Sequence, residues 1–219
     1  EEKGREGRTM EAVMTNLNKG AKFDKQSDKT SGGLNGIGMK AVNCISRWCE
    51  ATSCRGGSMY QQEFEVGVPL GDLKKIGATA KRGTKITFKP DAEIFISSTK
   101  FQHDLLQKRL RELAFLNSGI RIKFTDERIN STEEFCYQRG IIEYVEHLHR
   151  ASEPVHSEVI YHKAQADDVQ VEIALQYSNE YTENLHAYVN SIHTPDGGTH
   201  VIGFRTALTR TLNAYGKKE

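Results

Sequence analysis

The sequence predicts an α+β protein, and three observations carry that reading. Apolar residues recur at helical spacing in several stretches, the longest being Phe101, Leu105, Leu106, Leu110, Leu113 and Ala114. Other stretches have a two-residue period, with Tyr60, Gln62, Phe64 and Val66 on one side and Gln61, Glu63 and Glu65 on the other. Between the first two helical stretches runs a polar, glycine-rich segment, KGAKFDKQSDKTSGGLNGIG (19–38). It is too long for a simple connector and has the profile of a lid or binding loop.

The elements follow in order. Thr9 is placed to cap a first helix through Met10, Val13, Met14 and Leu17, with Gly20 ending it. Ile37, Ala41, Ile45 and Trp48 mark the apolar face of a second helix, so the glycines lead straight into a helix N-terminus. Arg55-Gly56-Gly57-Ser58 reads as the turn of a hairpin whose first arm is Glu50 to Cys54. Thr84, Ile86 and Phe88 give another strand, ending at Pro90. The long helix from Phe101 closes near Asn117-Ser118-Gly119, and strands at Ile120–Phe124 and Phe135–Tyr137 precede a short helix through Ile141, Tyr144, Val145 and Leu148. Arg150 to Ser157, with Pro154 among polar neighbours, looks like a boundary. Beyond it, Val169 to Tyr177 and Leu185 to Val189 read as strands, Thr194 to Gly198 as a turn, and Thr199 as the cap of a last helix through Val201, Phe204, Leu208, Leu212 and Tyr215.

At 219 residues the chain is long enough for one large domain or two modest ones, and two is the expectation. Lysine plus arginine (30) nearly balances aspartate plus glutamate (29), which excludes a global basic field for nucleic acid. The apolar runs fall far short of the roughly 20 residues that cross a bilayer, and no charged-then-apolar leader opens the chain. A cytoplasmic protein without membrane association is expected. Cys44, Cys49, Cys54 and Cys136 lack metal-ligand spacing and read as reduced thiols. The start at Glu1 and the stop at Lys217-Lys218-Glu219, directly after a helix, read as a chain trimmed at both ends.

The chemistry-bearing stretch is Ser31 to Gly38. Glycines lack the Cβ that keeps a polyphosphate away, and they leave backbone N–H groups free to point at phosphate oxygens. The following helix adds the positive end of its dipole. This is neither a Walker loop nor a dinucleotide fingerprint, because no Gly-Lys-Ser/Thr follows and no strand leads directly into it. Lys22 stands in the same loop, where an ammonium can reach phosphate, and Thr84 opens a strand after Gly83, where a hydroxyl can meet a nucleobase through water. His193 and His200 bracket a turn without a third metal ligand, and no nucleophilic triad is present.

Three long stretches, MEAVMTNLNKGAKFDKQSDKTSGGLNGIGMKAVN (10–43), RLRELAFLNSGIRIKFTDER (109–128) and NSIHTPDGGTHVIGFRTALTRTLNAY (190–215), are similar in order and spacing to the gyrase B family of type II DNA topoisomerases. The related chain of topoisomerase IV shares much of the pattern, but LRELAFLNSG and LTRTLNAY look more like gyrase. The resemblance implies the GHKL nucleotide-binding fold shared with Hsp90, MutL and histidine kinases, an α/β sandwich with helices on one face of a mixed sheet. It implies an ATPase domain over 1–154 and, over 155–219, the start of a transducer domain like ribosomal protein S5. It assigns Lys22 to the ATP lid, and the backbone of Gly33, Leu34, Asn35, Gly36, Ile37 and Gly38 to the triphosphate. It assigns Thr84 to adenine and Arg55 to the pocket rim. ATP with Mg2+ is the implied cofactor. DNA, gyrase A in an A2B2 heterotetramer and a second copy of gyrase B are the implied partners. The family's general-base glutamate and magnesium-binding asparagine belong upstream of Met10 and its catalytic lysine follows later, so no catalytic or metal residue is assigned here. The isolated polypeptide is accordingly expected not to hydrolyse ATP. Asp28 stands where the family has a lid tyrosine, and Asn35 where it has a histidine. A non-catalytic binding module on the same fold is the alternative.

Overall fold

A computed structural model of the chain describes residues 10–16, 37–151 and 153–218. Thr9, Leu17, Gly20, Lys22, Asp28, Gly33, Leu34, Asn35 and Gly36 lie outside the described residues. Two compact units divide between Lys100 and Phe101.

In the first unit, helix α1 covers residues 10–15 and α2 covers Gly38–Cys44. The strands are β1 (Ser46–Arg55), β2 (Ser58–Glu65), β3 (Val68–Pro69), β4 (Lys74–Ala78) and β5 (Gly83–Pro90). They form one sheet in the order β3-β2-β1-β5, with β4 also on β2, and every pairing is antiparallel. The expected hairpin is present: Arg55 pairs with Ser58 across Gly56 and Gly57, whose φ angles of 58° and 74° match the twist of the flanking strands. Its first arm is longer than expected and takes in Trp48, which the helical period assigns to α2. Trp48 pairs with Lys89 instead, because ladder hydrogen bonds to β2 and β5 outweigh the local helical period. The inner side of α2 also differs from expectation. Ile37 and Ile45 are exposed, and the buried residues are Lys40 and Asn43.

Sheet and helices meet in a small core of Met14, Cys49, Ala51 and Phe64, with Met10, Met39 and Ile86 packed against it. Burial, followed by the charge of Glu50, pushes the Cys49 thiol up from its ordinary value. None of the four cysteines is paired.

The second unit contains α3 (His103–Leu116), β6 (Ile122–Asp126), β7 (Ser131–Phe135), α4 (Ile141–Leu148), a 3-10 turn (His149–Ala151), β8 (Ile160–Ala166), β9 (Val169–Leu175), β10 (Tyr188–Val189), β11 (Ile192–His193) and α5 (Thr199–Gly216). Three two-stranded antiparallel hairpins result: β6-β7, β8-β9 and β10-β11. Phe115 of α3 stacks on Tyr137 at 3.7 Å and Tyr144 at 5.0 Å between ring centroids. The buried part of α3 is its C-terminal end, Ala114 and Phe115, while Leu105 and Phe101, inward by their period, are 64% and 47% exposed. Strand β8 carries no clean alternation, and the sequence pattern does not reveal it, nor β3 and β4. Of the stretch Leu185 to Val189, only Tyr188 and Val189 form a strand. Thr199 is the first helical residue of α5 and makes no capping bond; Gly198 holds the cap position. No helix among the described residues is long and apolar enough to cross a membrane.

Across the expected boundary at Arg150–Ser157, the His149 ring bonds Gln176 Oε1 at 2.8 Å, and Pro154 bridges to Ser178. The hairpin β10-β11 is tied to α3. Arg109 donates to the Ser191 carbonyl at 3.0 Å, Asn117 Nδ2 lies 3.4 Å from Ser191 Oγ, and the Tyr188 hydroxyl donates to Glu112.

Candidate functional site

Among the expected site residues, Ile37, Gly38, Arg55 and Thr84 are described. Ile37 takes the cap position of α2 in helical geometry and Gly38 is its first residue. Among the described residues, a Cβ built on Gly38 would meet nothing within 4 Å. The described residues therefore leave space at this position for close approach to the backbone.

The sheet places the other two. Side chains alternate across a strand, so Cys49, Ala51, Ser53 and Arg55 of β1 share one face. Register pairs Cys49 with Phe88 and Phe64, Ala51 with Ile86 and Gln62, and Ser53 with Thr84 and Tyr60. Thr84 and Arg55 thus lie on the face that carries the core, at its hairpin end. Met39, the residue after Gly38, packs on the same core as Ile86, two residues along β5 from Thr84. The opening of α2 and Thr84 are therefore referred to one sheet face by one cluster of apolar contacts. Both Thr84 and Arg55 are exposed, and Arg55 has no ion pair among the described residues.

On this face, the Asn43 Nδ2 donates to the Met14 carbonyl at 3.1 Å, and Gln62 Nε2 donates to the Gly71 carbonyl at 3.1 Å and to Glu11 Oε2 at 3.3 Å. Sequence reasoning missed both. Gln62 carried a signal, as a polar residue between Tyr60 and Phe64 on one side of its strand; Asn43 carried none, since it falls outside the Ile37, Ala41 and Ile45 period. A small cavity of about 50 Å³ lies nearby, lined by Gln61, Gln62, Glu63, Leu70, Gly71, Asp72 and Lys74. Among the described residues no three His, Cys, Asp or Glu side chains are grouped to hold a metal ion.

This fold has close counterparts among solved structures. The 43K ATPase domain of Thermus thermophilus gyrase B, in complex with an aminocoumarin, superposes with a TM-score of 0.78 at 28% identity, over 95% of this chain and 53% of that one. Gyrase B from Myxococcus xanthus also gives 0.78, at 23% identity over 92% of this chain and 58% of that one, a likeness of fold. In sequence, the gyrase B of Bacillus mycoides is 47% identical over 200 residues, 91% of this chain and 50% of its own length. That of Staphylococcus epidermidis is 49% identical over 209 residues, 94% of this chain and 32% of its own length. The chain belongs to the DNA gyrase B family.

The family model for DNA gyrase B matches residues 140–219, from the N-terminus of α4 through α5. This gyrase B family chain spans half of the first relative and about a third of the second. Family membership agrees with the expected α+β fold of the gyrase B ATPase type.

Proposed function

We propose that this chain is the ATP-operated region of a gyrase B protein. ATP binding at the head of α2 closes a dimeric gate, and that closure captures a DNA segment for strand passage by the A2B2 enzyme in the cytoplasm. The observation that carries the reading is the space that the described residues leave at Gly38, in a helix docked on the sheet face that bears Thr84 and Arg55. In this reading the amides of Gly33, Leu34, Asn35, Gly36, Ile37 and Gly38 bond the phosphates, Lys22 meets their charge, Thr84 fixes adenine and Arg55 lines the rim. Residues 1–154 form the nucleotide domain and 155–219 begin the transducer. Magnesium supplies charge neutralisation at the triphosphate when bound. The family places its magnesium-binding asparagine and its general base on a helix upstream of Met10, so neither is assigned to these 219 residues. The 219-residue polypeptide alone therefore binds nucleotide without turning it over.

Gly38→Ala tests the site. A helix accepts alanine more readily than glycine by up to about 1 kcal/mol, and the space for a methyl is free, so the melting temperature is expected to hold or rise. Calorimetric titration with a non-hydrolysable ATP analogue and Mg2+, on the chain and on a form extended upstream, is expected to give binding that Gly38→Ala weakens at least tenfold. Unchanged affinity in the variant, or absence of binding by both parent forms, overturns the assignment. Magnesium-dependent phosphate release by the 219 residues alone would defeat the claim that turnover needs more of the protein.

A further inference from the structure

Helix α2 turns a polar side inward. Asn43 is fully buried and Lys40, one turn earlier on the same side, is 2% exposed, while Ile37 and Ile45 face outward. Burying an amide is unfavourable unless it is hydrogen-bonded. Asn43 meets that condition with its Nδ2, which donates to the main-chain carbonyl of Met14 across 29 positions of sequence; among the described residues its Oδ1 accepts no bond. Met14 is itself 2% exposed and belongs to the core with Cys49, Ala51 and Phe64. A leucine at position 43 fills a comparable volume and would give the helix an ordinary apolar inner face. What it cannot do is grip a backbone atom of α1.

We propose that Asn43 is a positioning residue. Its amide fastens α1 to α2, and so fixes where the Ile37–Gly38 backbone stands against the sheet face bearing Thr84. The functional consequence rests on the nucleotide reading above. Apolar contacts hold two helices together but let them slide, because dispersion and hydrophobic burial have little direction. A single buried donor to a main-chain oxygen has direction, and it sets one register between the two helices.

The test compares Asn43→Leu with Phe64→Leu, a substitution in the same core that leaves the Asn43 bond in place, at temperatures where both retain the parent's circular dichroism. Amide hydrogen exchange of the 219-residue chain reads the fastening directly. Asn43→Leu is expected to speed exchange in residues 10–16 and 37–44 together by tenfold or more. Phe64→Leu is expected to act on β1 and β2 without that joint release. Titration with the non-hydrolysable ATP analogue reads the consequence: at least tenfold weaker binding for Asn43→Leu and no more than a twofold change for Phe64→Leu. Parent-like exchange in α1 of Asn43→Leu overturns the proposal, as does equal release by Phe64→Leu at an equal fall in melting temperature. Release of α1 with unchanged nucleotide affinity overturns the positioning role. If the parent chain binds no analogue, the nucleotide reading falls by itself, and exchange alone decides whether Asn43 fastens the helices.

Discussion

Asp126 ends β6 with its carboxylate nearly covered, accepting hydrogen bonds from Arg128 Nε at 2.8 Å, Arg128 Nη2 at 2.6 Å, the Arg128 amide at 3.1 Å and the His103 ring at 3.1 Å. The Arg128 guanidinium is the main reason that the Asp126 carboxyl lies far below its ordinary value of 3.8. A carboxyl depressed in the folded state stabilises the fold fully above its unfolded value, and that contribution is lost as pH falls toward the folded one. Asp126→Asn is therefore expected to lower stability by a constant amount at neutral pH, with the gap to the parent narrowing below about pH 4. Urea unfolding at a series of pH values measures it; a gap that does not change with pH would mean that the pairing is not electrostatic. A second site makes a contrasting case. Burial raises the Tyr188 phenol, and its bond to Glu112 raises it further. Burial also raises Glu112, but the hydrogen bonds from Tyr188 and Arg109 outweigh this and leave its carboxyl lowered. Tyr188→Phe removes one charge-assisted bond, and a loss of about 1.5 kcal/mol is expected. Thermal unfolding checks it, with Tyr144→Phe as the milder companion because Tyr144 Oη stands 3.5 Å from Glu112.

Among the elements, two turns in the first unit separate conformational from steric cost. Gly57 has φ of 74° and open space where a Cβ would be, so Gly57→Ala is expected to cost about 1 kcal/mol through backbone geometry alone. Gly67 has φ of 82°, and its added Cβ would fall 2.9 Å from Cys44 Sγ and 3.3 Å from Cys44 Cα. Gly67→Ala is expected to lose about 1–2 kcal/mol more than Gly57→Ala; equal losses in denaturant titrations would show that Cys44 yields freely. The Arg55-Gly56-Gly57-Ser58 turn was legible because paired glycines answer a local demand for positive φ. Strand β8 was not. Lys163 and Gln165 interrupt its apolar residues and every position is exposed, so the two-residue period has no buried side to record. Helix α2 misled for the opposite reason: Ile37, Ala41 and Ile45 keep a helical period, but burial went to Lys40 and Asn43, because a hydrogen bond to Met14 decides that face and periodicity carries no trace of a distant carbonyl.

For the molecule as a whole, a near balance of 30 basic and 29 acidic side chains leaves no long-range field. Duplex DNA at physiological salt is therefore expected to show no saturable binding to the 219-residue chain below about 0.1 mM, measured by fluorescence anisotropy. Tighter binding with a steep salt dependence would reveal a local basic surface sufficient by itself. The sequence by itself determined the family, the mixture of helices and strands, and the Arg55–Ser58 hairpin turn, because turn chemistry, period and motif order are written within short stretches of chain; the mixed sheet that the resemblance implies is instead antiparallel throughout the described residues. Tertiary structure alone decided which side of α2 and of α3 is buried. It also decided that Thr84 and Arg55 share a face with the core, and that Asn43 reaches Met14. Those outcomes depend on strand register and on contacts between residues far apart in sequence, and no local pattern encodes the partner that a side chain finds there.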